Sequence, residues 1–351
     1  MKRKNSTAQQ KKVKFDSKYL KDPKIEKVYL IFKKQLYSQI KNEKFCIGVS
    51  GGPDSLALAF LSKIFSKKFN SKFVALIIDH NLRKQSGIEA RKVKKILTKH
   101  KIRTKILTWK GKIPKSNIQF NARNIRYFLL KKECNKLNIK NLVLAHHEDD
   151  LIENFFIRLF RGSGLKGLSS LNIKRHSEDN ILNLIRPLIN IKKNELIYIS
   201  KKIFKFYFTD PSNFNEKFLR TKIRNYLDEF KLDGLDINKI KLTLSNLQSA
   251  NESINFYKEK SIKNHVRYLQ CNACFVSYGL FNYESEEVIF RTVSDVISKI
   301  SNNYYPPRGK YVKNLITRIK SKKFKKSTLG GCIIEKTYNI LIFRKEFGAK
   351  F

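Results

Sequence analysis

FCIGVSGGPDSLALAFL, residues 45–61, runs from a short apolar stretch through a Gly-Gly turn into apolar residues at helical spacing. That pattern predicts a strand, a tight loop and a helix. Two chemistries fit the loop. Gly48-Val49-Ser50-Gly51-Gly52 has the G-x-S-x-G spacing of a serine nucleophile elbow. Ser50-Gly51-Gly52-Pro53-Asp54-Ser55 equally offers successive backbone N–H groups and a helix N-terminus to a nucleotide's phosphates.

Further strands are predicted at 73–78, 105–108 and 142–145, alternating with helices at 55–65, 88–100, 118–137 and 151–160. The alternation implies an α/β, Rossmann-like fold in which a parallel sheet is flanked by helices on both faces. Such sheets bind ligands at the carboxyl ends of their strands. Here those ends are Ser50-Gly51-Gly52, Asp79-His80 and His146-His147-Glu148-Asp149-Asp150. The expected organisation is a basic disordered arm (1–24), the nucleotide-binding catalytic domain (25–230), a helical connector (231–265) and a small α+β domain (266–351). Within the last, 275–290 shifts toward β-favouring residues, 311–324 reads as a helix, and 332–334 with 340–343 reads as a hairpin.

The 351 residues carry 74 Lys and Arg against 29 Asp and Glu, a net charge of +45, with 41% hydrophobic residues. The hydrophobic share excludes a disordered chain, and the cationic excess favours a polyanion such as nucleic acid. From Val296 to Ile334 there is no acidic residue. Arg318, Lys322, Lys323, Lys325 and Lys326, interleaved with Tyr304, Tyr305, Tyr311 and Phe324, form the expected nucleic-acid patch. No run approaches the roughly 18 apolar residues of a membrane span, and the basic N-terminus lacks the apolar core of a secretory signal. Cys46, Cys134, Cys271, Cys274 and Cys332 are odd in number and mostly in apolar surroundings, which fits a reduced, cytoplasmic setting. Cys271 and Cys274 form a lone CxxC, read as packing.

An elbow needs a later acid and then a histidine. Asp210 and His265 come in that order, yet no HGGG-type oxyanion segment is present and the elbow would sit on the first strand. The phosphate reading accounts for more residues. Two glycines let the backbone turn sharply, the Ser50 and Ser55 hydroxyls add donors, and the helix dipole points at the same place. Without Gly-Lys-Ser/Thr the loop is not a Walker A, and Asp54 beside phosphates calls for Mg²⁺ between them. Asp149 and Glu153 share a helical face with Asp150 adjacent, so three carboxylates stand ready for Mg²⁺ or an ammonium group. Arg123 and Arg126, three residues apart, suit a phosphate or carboxylate.

Ser50–Ser55 resembles the Ser-Gly-Gly-x-Asp-Ser loop of the N-type ATP pyrophosphatases, the PP-loop superfamily. Within it, Asp79-His80-Asn81-Leu82-Arg83, Ala122-Arg123-Asn124-Ile125-Arg126-Tyr127, Ala145 to Asp150, Arg158 to Gly164 and Arg186-Pro187-Leu188 are similar to the tRNA(Ile)-lysidine synthases. The likeness spans about 45–230, and Thr328-Leu329-Gly330-Gly331-Cys332 resembles a C-terminal segment of some members. Asn154 and Thr221 depart from the family's pattern.

The resemblance implies an ATP-dependent ligase that joins free L-lysine to C2 of the wobble cytidine of a tRNA(Ile) with a CAU anticodon, through an adenylated tRNA. ATP would lie on Ser50–Ser55, Asp79 and His80, with Mg²⁺ on Asp54 and Asp150. Catalysis would fall to Asp54, Asp149, Asp150, Glu153, Arg123 and Arg126. Arg220, Arg224 and the C-terminal basic patch would hold the tRNA, and a homodimer is allowed. Which carboxylate takes metal and which takes lysine stays open. Two other readings stand beside this one: a PP-loop tRNA thiolase using Cys271 and Cys274, and a non-catalytic RNA-binding protein.

Overall fold

The computed structural model describes residues 18–81, 85–111, 118–171, 174–176, 182–209, 219–269, 272–302, 307–321 and 323–346. Most of the N-terminal arm, Leu82, Arg83, Asp210, Cys271, Tyr304, Tyr305 and Lys322 lie outside them. The chain divides into two compact units, Met1–Ile240 and Lys241–Phe351.

The first unit opens on α1 (Pro23–Ile40), where Asp22 accepts the backbone N–H of Lys24 and Ile25 and Pro23 occupies the first helical position. The motif-bearing elements follow: β1 (Phe45–Val49), α2 (Pro53–Lys68), β2 (Phe73–Asp79), α3 (Ser86–Lys99), β3 (Thr104–Thr108), α4 (Ile118–Lys136), β4 (Asn141–Val143) and α5 (Glu148–Leu159). The unit continues through α6 (Leu165–Leu168), β5 (Lys174–His176), β6 (Asn183–Ile185), α7 (Lys193–Phe204) and α8 (Leu219–Leu232). The sheet order is β3-β2-β1-β4-β6-β5, with five parallel strands and β5 antiparallel to β6.

β1 is central because both its faces are covered, so Phe45, Cys46, Ile47 and Val49 are all buried. It pairs with β2 on one side, from Phe45↔Phe73 to Val49↔Ile77, and with β4 on the other. The chain runs outward from β1 in both directions, so the crevice between β1 and β4 is the topological switch point. The Ser50 loop and the His146–Asp150 segment open there. α2 is buried along every residue from Ser55 to Phe65, beneath α7, whose Ser200 hydroxyl donates to the Pro53 carbonyl.

The second unit is built on α9 (Ile237–His265), whose first residues belong to the first unit, and an antiparallel sheet of β7 (Val266–Leu269), β8 (Ala273–Ser277), β9 (Lys326–Leu329), β10 (Cys332–Thr337) and β11 (Ile340–Lys345) in the order β7-β8-β11-β10-β9. Helices α10 (Gly279–Tyr283), α11 (Glu286–Ser301) and α12 (Gly309–Lys320) complete it. Cys274, Val276, Ile334, Leu341 and Phe343 pack in one core with Val293, Ile297, Val312 and Leu315. The fully buried Arg291 of α11 donates from Nε to Glu287 and from Nη1 to Asn251 and Asn255 of α9, which offsets part of the cost of burying its charge and leaves Nη2 without a partner among the described residues.

The β-favouring reading of 275–290 is corrected here: the strand ends at Ser277, and Glu286–Ser301 is a helix. Val288, Ile289, Val293, Val296, Ile297 and Ile300 recur at three- and four-residue spacing and are buried, so the period outweighs the β propensity of Val and Ile. The hairpin is present and longer than expected, and the turn before it needs glycine at Gly330. Its φ is +60°, and a Cβ there would lie 2.8 Å from Pro307 Cγ.

Candidate active site

Loop shape comes first. Gly51 has φ +90°, and a Cβ there would sit 2.5 Å from Val93 Cγ2, so this position admits only glycine. Its carbonyl accepts the Phe208 N–H at 2.9 Å. Ser55 is buried, and its hydroxyl donates to the Gly52 carbonyl while accepting the N–H groups of Ser50 and Gly51 at 3.2 and 3.1 Å. Ser55 therefore holds the loop in shape, and Ser50, an exposed residue, donates its hydroxyl to that of Ser55 at 3.3 Å. Gly52 caps α2, Pro53 fills its first position, and Asp54 stands in its first turn.

Across the switch point, His147 links the two halves of the crevice. Its Nε2 lies 3.7 Å from Asp54 Oδ2 and 3.5 Å from Asp150 Oδ2, and its backbone N–H donates to Asp150 at 3.0 Å. Burial pushes the Asp54 carboxyl up, with Asp150 adding to the rise and His147 and Lys193 opposing it. Asp54 Oδ1 is buried with no hydrogen-bond partner among the described residues. Burial also works to raise Asp150, yet His147, Arg220 and His146 outweigh it and hold this carboxyl at about 2. Asp149 is half-buried, and no described residue forms an ion pair with it. Glu153 is only 2% exposed and accepts from Arg220 Nε and, at 2.8 Å, from Arg224 Nε; Arg220 also donates to Asp150.

At the end of β2, Asp79 is buried and accepts the Asn81 N–H at 3.0 Å and the Ser86 hydroxyl at 2.7 Å. It ties the strand end to the start of α3. His80 follows, with neither ring nitrogen hydrogen-bonded to a described residue. Burial and then Arg126 push it down to about 4. His146 is held at about 3, chiefly by burial, against the pull of Asp150. Arg123 stands 5.2 Å over the Tyr127 ring and acts on His146, so both arginines of α4 reach the strand ends.

These two histidines set an acid limit on stability. Their folded pKa values lie below the unfolded value of 6.5, so as pH falls from 6.5 toward 4 the unfolded chain takes up protons that the fold refuses. The urea midpoint is expected to fall across that window, and His80→Gln to flatten the fall; an unchanged pH profile in the variant contradicts the assignment.

The expected residues thus fall at the ends of β1, β2 and β4 and on the helices beside them: Ser50, Gly51, Gly52, Pro53 and Ser55 in the loop, Asp54 meeting Asp150 and Glu153 through His147 and Arg220, with Asp149 next to Asp150, Asp79 and His80 after β2, and Arg123 and Arg126 acting on His146 and His80. Arg220 and Arg224, expected to face tRNA, are engaged with the carboxylates of α5. His147 and Lys193 carried no assignment in the sequence. His147 adjoins the acidic run and was open to notice; nothing local marked Lys193, the first residue of α7. In the second unit, Arg318 is exposed and donates to the Ser327 hydroxyl at 3.1 Å, Lys326 pairs with Glu335 at 2.8 Å, and Lys323 and Lys325 are exposed. Phe324 is buried in the core, which corrects its expected place among the interleaved aromatic residues, whereas Tyr311 is 53% exposed.

A phosphate-shaped loop at the switch point of a parallel sheet defines a PP-loop nucleotide-binding protein, and residues 26–229 match the family described as PP-loop domain. The sequence is 35% identical over 317 residues to the tRNA(Ile)-lysidine synthase of Orientia tsutsugamushi (strain Boryong), covering 88% of this chain and 71% of that one. It is 35% identical to the enzyme of that name from Rickettsia bellii (strain OSU 85-389), covering 88% and 70%. Among solved structures, the U34-tRNA thiolase NcsA from Methanococcus maripaludis, solved with its 4Fe–4S cluster, superposes with a TM-score of 0.55 at 19% identity, over 66% of this chain and 78% of that one. That likeness is one of fold. The chain belongs to the tRNA(Ile)-lysidine synthase family.

Proposed function

We propose that this chain is an ATP-dependent carbon–nitrogen ligase that converts the wobble cytidine of a CAU-anticodon tRNA(Ile) to lysidine. The observation that carries the reading is the convergence of Asp54 and Asp150 on His147, across a crevice floored by the Ser50 loop. O2 of the cytidine attacks the α-phosphorus of ATP, and the bond to pyrophosphate breaks. The lysine side-chain amine, having lost a proton, then attacks C2, and the C2–O bond breaks to release AMP. Single-stranded anticodon bases are open to such chemistry.

The residues divide the work. The loop's backbone and the N-terminus of α2 receive the phosphates, and Lys193 supplies positive charge beside Asp54. Asp54 fits a divalent cation because its buried Oδ1 lacks a partner and a second carboxylate lies across His147. Asp54 and Asp150 would hold Mg²⁺, which would supply positive charge to offset that of the departing pyrophosphate. His80 and His146 stay neutral near pH 7, so Arg126 and Arg123 provide the positive charge at the two strand ends. Asp149, Asp150 and Glu153 form an acidic wall for lysine's ammonium; to reach the last two it displaces Arg220, whose side chain is 49% exposed and able to swing into solvent.

Among the described residues no helix is long and apolar enough to cross a membrane, and a tRNA-modifying enzyme acts where tRNA is, in the cytoplasm. A homodimer is compatible with this reading. The thiolase reading draws nothing from the cysteines described: Cys46, Cys134, Cys274 and Cys332 are buried, and burial pushes Cys274 up to about 12, far from a reactive thiolate.

Release of AMP that requires both the tRNA and lysine tests the activity, and release without either overturns it. For tRNA binding, replacing Lys323, Lys325 and Arg318 with Ala is expected to weaken affinity about ten-fold at low salt and to flatten its salt dependence. Unchanged affinity returns those side chains to a merely solvated surface.

A further inference from the structure

At the end of the parallel sheet opposite the nucleotide loop, the strand starts surround a cavity of about 1100 Å³. Seven of its thirteen lining residues are Lys or Arg, and none is acidic. Lys44, Lys72 and Arg103 immediately precede β1, β2 and β3. Hydrogen bonds from Phe45 N to the Lys72 carbonyl (3.1 Å) and from Ala75 N to the Arg103 carbonyl (2.9 Å) set them on adjacent strands, about 5 Å per strand step. Lys63 and Lys67 of α2, with Lys99 and Lys101 at the end of α3, close the ring over the apolar Phe73 and Val74.

Part of this has a local explanation. Lys67 and Lys99 sit in the last turns of their helices, where the dipole favours a cation, and lysine is abundant throughout the chain. Neither reason explains why the lining of one concavity gathers seven cations and no carboxylate; a concave cationic wall concentrates its field on an incoming anion. Six of the seven cations are exposed at the rim, within reach of a large ligand. Six of the seven are also lysines, point charges on flexible stems suited to a phosphodiester backbone bound without base reading.

We propose that this cavity binds RNA backbone phosphates and holds the substrate tRNA at the end of the sheet remote from the chemistry. The proposal rests on the tRNA reading above. It is tested with Lys72→Ala/Lys101→Ala/Arg103→Ala against Lys34→Ala/Lys94→Ala/Lys95→Ala, which removes the same charge from exposed positions outside the cavity. Binding of a CAU-anticodon tRNA is titrated across KCl concentrations, with circular dichroism confirming equal unfolding midpoints; Lys72→Gln/Lys101→Gln replaces the triple variant if it misfolds.

The cavity variant is expected to lose about ten-fold in affinity at low salt, and its log–log salt slope to fall by about 2 to 3, near one for each phosphate that the variant leaves unneutralised. The control is expected to change less than about two-fold. Equal losses in both variants, or none in the cavity variant, overturn the proposal. So does stabilisation of the wild type alone by tripolyphosphate with tRNA affinity unchanged in the variant, which assigns the cavity to a small polyphosphate. Binding is read without catalysis, so a wild-type protein that binds tRNA yet forms no lysidine refutes the ligase reading and leaves this proposal standing.

Discussion

Asp54→Ala is expected to abolish AMP formation, a loss of about 10³-fold or more, in a protein that stays folded. The cause is charge. The Asp54 carboxyl sits at the first turn of α2 with one oxygen buried and unpartnered, and burial raises its pKa. Because the folded pKa lies above the unfolded 3.8, ionising this group costs the fold free energy as pH rises past 3.8. Its removal is therefore expected to leave the thermal midpoint at pH 7 unchanged or higher. An acid that weakens the fold is intelligible if a cation and phosphates complete its surroundings during turnover, where electrostatic contributions are largest. Retained turnover contradicts the role, and a collapsed midpoint contradicts the account of its energetics.

The second large effect is expected at Glu153. Nearly inaccessible to solvent, this carboxylate accepts from two arginines of α8, one of which also bridges to Asp150. If it receives lysine's ammonium, Glu153→Gln removes one charge-assisted hydrogen bond, about 1.5–3 kcal/mol, and lowers kcat/KM for lysine roughly 10- to 150-fold. Pyrophosphate release in the absence of lysine is expected to stay within about three-fold of wild type, since the adenylation step does not use that hydrogen bond. The stability cost stays well below the 3–5 kcal/mol of a fully buried broken pair, because Arg220 and Arg224, at 49% and 30% exposure, can turn to water. A parallel fall in pyrophosphate release identifies Glu153 instead as a residue that positions α5 against α8.

Much of the catalytic unit is legible in the sequence because its strands are apolar on both faces and end abruptly in polar residues. β1 matches its sequence reading to the residue, and the helices at 55–65 and 88–100 match to within three residues at each end. β6 escapes notice because Asn183-Leu184-Ile185 is too short to carry a period, and it is held by pairing with β4 rather than by its own propensity. α11 is obscured by its Val and Ile, whose strand preference yields once their spacing gives the helix a buried face. In the site, the chemistry-bearing residues can be named from the strand ends, but not their mutual arrangement. That Ser55 turns inward to brace the loop, that His147 spans Asp54 and Asp150, and that Arg220 and Arg224 fold back onto Glu153 depend on contacts between segments up to about 100 residues apart in sequence.

Formation of lysidine by this chain can be read on the RNA itself. Incubating the protein with ATP, Mg²⁺, lysine and a tRNA(Ile) transcript bearing CAU, then digesting the RNA and analysing its nucleosides by mass spectrometry, tests it most directly. The wobble cytidine is expected to be replaced by a nucleoside heavier by one lysine less one water, in an amount matching the AMP released. An unmodified cytidine in the presence of active, tRNA-bound protein contradicts it, as does a sulfur-containing nucleoside at that position.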